Sequence, residues 1–233
     1  MKDRLTTARD WLCERTGFDQ VWTALFERRI PEAKGPAAWL YTLGSASLFV
    51  FLVQAVTGAL LAMNYVPSSE HAYDSVRYIG EKVLCGSFIR GLHHWGASFM
   101  VVLVSLHLLR TYFMGAYKYP REGTWMVGVF LFLVVIGFGF TGYLLPWDQK
   151  AYWATMVGTN IAGQTPLVGP LVSKVLKGGP DMGAATLTRF YALHVLVLPG
   201  LILGLIGAHL FLVVWHGISE PPARNRGPKG GEQ

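Results

Sequence analysis

Residues 190–219 read FYALHVLVLPGLILGLIGAHLFLVVWHGIS, thirty positions without an Asp, Glu, Lys or Arg. About 20 mostly apolar residues in a helix cross the hydrocarbon of a bilayer. A helix is the form in which such a segment satisfies its own backbone polar groups away from water. The run nevertheless contains His194 and His209, and Pro199. Burying histidine in a membrane is costly, so both are functional candidates at once.

Three more charge-free runs lie upstream: residues 35–69, 91–109 and 123–147, of 35, 19 and 25 residues. The whole chain of 233 residues is 52% hydrophobic and 15% charged, with a mean hydropathy of +0.36. Soluble domains carry about 25% charged residues. The class is therefore an all-α, polytopic membrane protein, with spans expected at 39–66, 91–112, 124–147 and 190–215. These divide the chain into an N-terminal segment (1–38), a four-helix membrane domain (39–219) and a polar tail (220–233). Residues 151–173 are also uncharged, but Asn160, Gln164, Pro166, Pro170 and three glycines suit surface helices and turns in the third connection rather than a fifth span.

The net charge is +6. Basic loops against an anionic membrane surface account for it, and no nucleic-acid partner is expected. Of the 20 Lys and Arg residues, 13 fall in the N-terminus, the second connection and the tail, and seven in the first and third connections. The positive-inside rule then places both termini in the cytoplasm, which four spans allow and five do not. The first 38 residues hold seven basic and six acidic residues and resemble neither a secretory signal nor a transit peptide. Residues 10–15 and 21–26 pattern as an amphipathic surface helix. Cys13 and Cys85 flank the first span on opposite sides of the membrane, and Cys-x-x-Cys-His, the haem-attachment motif, does not occur.

The histidines carry the chemistry. His93 and His107 are 14 apart in the second span, and His194 and His209 are 15 apart in the fourth. Fourteen steps of an α-helix return to within about 40° of the starting direction, and fifteen to within about 60°. Each pair thus shares one face of its helix, about 21–23 Å apart along the axis. The second and fourth spans run parallel, so His93 is level with His194 near the outer face and His107 with His209 near the inner face. Two imidazoles at each of two depths match two haems with both axial positions filled, a site for electron transfer rather than oxygen chemistry. His94 points about 100° away from His93 and is read as a packing residue; His71 and His216 receive no ligand role.

Gly44 and Gly58 in the first span, and Gly128 and Gly142 in the third, repeat the interval of 14. Glycine in membrane helices commonly marks close helix packing. The shared interval points instead to backbones lying against a flat macrocycle. Arg90 and Arg110 flank the second span, where a guanidinium can pair with carboxylates or simply snorkel to the interface.

Together with Thr186-Leu187-Thr188-Arg189-Phe190-Tyr191-Ala192-Leu193-His194 and Gly142-Tyr143-Leu144-Leu145-Pro146-Trp147-Asp148-Gln149, this arrangement resembles cytochrome b of the quinol-oxidising bc and b6f complexes. The resemblance covers about residues 8–219, and the interval of 15 is like that of cytochrome b6 and short bacterial cytochromes b. It implies two non-covalent b haems: an outer one held by His93 and His194, an inner one by His107 and His209. Gly44, Gly58, Gly128 and Gly142 would be haem-packing glycines, and Arg90 and Arg110 propionate partners. Phe140, Thr141, Tyr143, Trp153 and Ala154 would wall the outer quinol-oxidation site. Quinol there would give one electron to a Rieske iron–sulfur protein and the other, through the two haems, to quinone at the inner side.

Three departures qualify the resemblance. The family's Pro-Glu-Trp-Tyr sequence does not occur in this chain, so a subunit IV-like partner is expected, besides the Rieske protein and a c-type cytochrome, in a dimeric complex. Thr42 stands where b6-type proteins carry a haem-linking cysteine, so no covalent haem is expected and quinone would occupy that space. Val214 stands where an Arg or His usually lies near the inner quinone site, with His216 two residues on. The expected location is a bacterial cytoplasmic membrane, or a thylakoid-type one. The competing readings are a four-helix dihaem anchor of a dehydrogenase or hydrogenase, which lacks the Leu-Pro-Trp-Asp-Gln segment, and a channel or transporter, which would bind no haem.

Overall fold

The computed structural model describes residues 35–219 continuously, together with Asp10, Trp11, Cys13, Arg15, Thr16 and Thr23. Every regular element among the described residues is helical. A 3₁₀ helix, Gly35–Thr42, leads into α1 (Leu43–Ala62). Then follow α2 (Ala72–Glu81), α3 (Gly86–Phe113), α4 (Glu122–Leu144), α5 (Gln149–Gly163), α6 (Gly169–Lys177) and α7 (Ala184–Ala192). A π-helical turn, Leu193–Val197, joins α7 to α8 (Leu198–His216).

Four stretches are long and apolar enough to cross a membrane: Ala38–Ala62, Gly86–Phe113, Glu122–Leu144 and Ala184–His216. They correspond to the four expected spans, with shifted ends. The second and fourth helices begin at Gly86 and Ala184, before the charges Arg90 and Arg189, because a long basic side chain at a helix end reaches the interface without stopping the helix. The first helix ends at Ala62 rather than at 66, and the third at Leu144 rather than 147. Pro146 accounts for the latter, since it disfavours helix in the residue before it and cannot continue the ladder.

The bundle consists of two helix pairs. α1 lies along α3, α8 lies along α4, and the short connection after α3 makes α3 and α4 antiparallel neighbours. Val50, Met100, Leu103, Val134, Val135 and Ile202 form the central core. Val50, Met100, Val135 and Ile202 each lie about midway between the two glycines or histidines of their own helix. This plug thus separates two polar layers, called outer (Gly58, His93, Gly142, His194) and inner (Gly44, His107, Gly128, His209) after the orientation expected from the sequence. Large apolar side chains such as Phe49, Val102, Phe130 and Phe211 project from the four helices, as a bilayer-facing surface requires. A second core of Ala72, Leu144, Met182, Leu187 and Phe190 closes the outer end, with α2 and α7 packed over the end of α4.

The third connection forms surface helices, as its composition foretold. Asp148 accepts a hydrogen bond from the Ala151 N–H at 2.8 Å and caps α5. Lys177 donates to Asn160 Oδ1 at 2.7 Å across α5 and α6. Removing the cap by Asp148→Ala is expected to cost about 1 kcal/mol, read as a lowered midpoint for thermal loss of the folded complex. Near the N-terminus the six described positions are helical, and the Arg15 guanidinium stands 5.0 Å over the Trp11 ring. The rest of the expected amphipathic helix and the tail from residue 220 lie outside the described residues.

Candidate functional site

Pro199 shapes the fourth membrane helix. It has no N–H to give to the carbonyl four residues earlier, so the ladder must rearrange locally. The rearrangement is the π turn: the Leu198 N–H bonds to the Leu193 carbonyl, five residues back. A π turn absorbs one extra residue. His194 lies within it, so the fifteen-residue interval to His209 delivers the two imidazoles much as fourteen residues do in α3. The expectation that this pair is rotated further round its helix than His93 and His107 is corrected by that one turn.

Each histidine meets one of the four glycines. A Cβ placed on Gly58 would stand 3.1 Å from His93 Cε1, and one on Gly142 only 2.6 Å from His194 Cε1. The inner counterparts are 3.2 Å from Gly44 to His107 Cε1 and 3.4 Å from Gly128 to His209 Cε1. A Cβ would clash at Gly142 and crowd the ring at Gly58 and Gly44, so glycine there lets an imidazole from the neighbouring helix of the pair lie against the backbone; at Gly128 the contact would be an ordinary one. The His93 and His194 rings face each other with centroids 6.3 Å apart and planes 76° apart. Two metal–imidazole bonds of about 2 Å each, plus the distance from each ring nitrogen to its centroid, add to about 6 Å. His107 and His209 lie against Gly44 and Gly128 in the other layer.

Second partners differ between the layers. His93 Nδ1 is 3.0 Å from Thr57 Oγ1, and His194 Nδ1 is 3.0 Å from Thr141 Oγ1. Each hydroxyl donates its own proton to a backbone carbonyl, Val53 at 2.7 Å and Gly137 at 2.8 Å. It can then only accept from the ring, which assigns the proton to Nδ1 and leaves the Nε2 lone pair available as a ligand. His107 Nδ1 and His209 Nδ1 are buried without such a side-chain acceptor.

Arg110 is 9% exposed, with its guanidinium 3.9 Å over the Tyr41 ring. Its Nε and Nη2 are buried without hydrogen-bond partners. A buried cation so placed calls for an anion. Tyr41 itself donates to the Ser219 carbonyl at 3.3 Å, tying the start of the first span to the end of the fourth. Arg90 is exposed at the outer end of α3. Among the described residues no group of three or more His, Cys, Asp and Glu gathers to hold a bare metal ion. Paired imidazoles, bare backbone beside them and an unpaired buried guanidinium fit a flat metal macrocycle that brings its own equatorial ligands and carboxylates.

The remaining sequence candidates are spread over the outer end. Tyr143 is 41% and Trp153 55% exposed; Ala154 is exposed too, and Trp153 Nε1 donates to Gln149 Oε1 at 3.0 Å. Phe140 packs against Phe190 and Gly158, between α4, α5 and α7. Thr141 is buried with its hydroxyl on His194, so it belongs to the histidine layer. His94 is exposed and packs edge-on to Trp95, as its direction implied. Thr42 donates to the Trp39 carbonyl at 2.8 Å. Sequence reasoning missed Thr57; the repeated Thr-Gly pairs at 57–58 and 141–142 were the available signal.

The fold and site define an all-α integral-membrane bundle in which paired histidines are held against glycines in two layers. Residues 33–217 match the family model for cytochrome b/b6/petB, and the chain belongs to that family, whose members are subunits of electron-transferring oxidoreductases. It is 47% identical over 217 residues to the menaquinol:cytochrome c reductase cytochrome b subunit of Bacillus subtilis (strain 168), covering 91% of this chain and 97% of that one. It is 43% identical over 213 residues to cytochrome b6 of Heliobacterium mobile, covering 91% and 99%. A chain of a hyperthermophilic respiratory complex III superposes with a TM-score of 0.81 at 32% identity, covering 96% of this chain; this chain spans 58% of that longer one. Family membership sets aside the dihaem-anchor and transporter readings.

Proposed function

We propose that this chain is the dihaem cytochrome b subunit of a menaquinol:cytochrome c oxidoreductase in a bacterial cytoplasmic membrane, with both termini cytoplasmic. The four glycine–histidine contacts carry the reading, because they bring two imidazole pairs to two depths on either side of an apolar plug. Haem, when bound, supplies one-electron chemistry at each depth. His93 and His194 would hold the outer iron and His107 and His209 the inner one. Arg110 would pair with inner carboxylates, and Arg90 with outer ones.

Phe140, Tyr143, Trp153 and Ala154 are proposed to wall the outer quinol site, with Thr141 positioning His194 behind it. The Pro-Glu-Trp-Tyr sequence does not occur in this chain, so a subunit IV-like polypeptide would complete that wall. A Rieske protein and a c-type cytochrome would take the other electron, in a complex that is a homodimer like its family. At the inner end, the space beside Thr42 would admit quinone. Menaquinol as the substrate is supported by the relatives of 46–47% identity. The apolar central plug keeps water from the path between the layers.

The testing experiment is a reduced-minus-oxidised spectrum of the purified complex, with pyridine haemochrome quantification and a haem-stained denaturing gel. Two b haems per copy of this chain and no stained band are expected. One b haem would overturn the paired reading, and a stained band would overturn the role given to Thr42.

A further inference from the structure

We propose that Thr57 and Thr141 set the outer histidine pair apart from the inner one as electron donors, and so fix the direction in which an electron falls between the layers. The inference rests on the two-haem reading above. Both hydroxyls are buried, 5% exposed in each case, and both have given their proton to the backbone. What each offers His93 or His194 is a lone pair at 3.0 Å from Nδ1. An imidazole whose Nδ1–H is hydrogen-bonded is a more basic ligand through Nε2. A more basic axial ligand favours the oxidised metal and lowers its reduction potential.

The inner layer is built otherwise. The residues preceding its two glycines are Leu43 and Val127, where the outer layer has Thr57 and Thr141. Neither aliphatic side chain can accept a hydrogen bond, so His107 Nδ1 and His209 Nδ1 have no hydroxyl acceptor. Backbone carbonyls face rings in both layers, those of Gln54 and Phe138 in the outer and that of Thr124 in the inner, so the threonine hydroxyls are what distinguish the outer pair. The buried Arg110 cation lies at that inner level and favours the reduced, less positive metal there. Both differences act in one direction: an electron entering at the outer layer moves downhill to the inner one. No proton leaves either ring. The threonines are positioning residues that act through the histidines.

The test is potentiometric, on the whole complex, with haem content measured alongside. In Thr57→Val with Thr141→Val, the outer haem is expected to have its reduced-to-oxidised ratio at fixed ambient potential raised about tenfold, which is about 59 mV for one electron. The inner midpoint stays put, and serine at both positions restores the outer one. Two haems per chain with an unmoved outer midpoint would overturn the inference, as would equal shifts of both midpoints. Should the valine variant lose its outer haem, Val127→Thr decides the matter. A lowered inner midpoint supports the inference and an unchanged one overturns it. Fewer than two haems in the unaltered complex would instead overturn the proposed function.

Discussion

Gly142→Ala is expected to weaken retention of the outer haem by about 10- to 100-fold while leaving the inner one in place. The added methyl would stand 2.6 Å from His194 Cε1, closer than carbon atoms approach. A free imidazole could swing aside, but this one is held by Thr141 on Nδ1 and would be held by iron on Nε2. Forcing an extra methyl into such a site costs about 1–3 kcal/mol, and each 1.4 kcal/mol is about a factor of ten. Gly128→Ala is the control, because its methyl would lie 3.4 Å from His209 Cε1, an ordinary contact. Haem content of the two variants, resolved by spectrum at each potential, measures the difference. Equal loss at both layers would show that the spacing of glycine to histidine does not govern retention.

His209→Leu is expected to have the largest effect of any single change: one b haem per chain instead of two, and quinone reduction at the inner side slowed more than about 100-fold. Changes to groups that merely orient a metal ligand cost 10- to 100-fold in affinity or activity, and removing the ligand itself costs more. The outer layer should survive, because the plug of Val50, Met100, Val135 and Ile202 stands between the layers. The reduced spectrum should then keep the outer band alone. Loss of both haems would mean that the layers fold as one unit, contrary to the two separate Gly–His sets.

Much of this was legible in the chain. The charge-free runs placed four spans; the second and fourth helices extend past Arg90 and Arg189, the third stops before Pro146, and the first ends four residues early at Ala62. The intervals of 14, and of 15 between His194 and His209, identified all four glycines and all four histidines that meet in the bundle, because a helix returns a residue to nearly the same face at those spacings. The surface nature of residues 151–173 followed from their prolines, glycines and amides. Thr57 escaped notice because a threonine in an apolar run usually bonds its own helix's carbonyl, as it does here as well. Only the packed bundle brings His93 to its other side.

Periodicity thus determined which residues share a face, how deep they lie and what chemistry they offer, since those depend on one helix at a time. Tertiary structure decided which helix each face meets: α1 against α3, and α4 against α8. It also decided that a π turn at Leu193–Val197 absorbs the odd residue of the fourth span. Burial of Arg110 and exposure of Arg90, two arginines alike in sequence, were settled there too. The physical reason is the same in each case. Helical hydrogen bonds are local and written in the sequence, whereas the partner of a side chain depends on close packing between segments far apart along it.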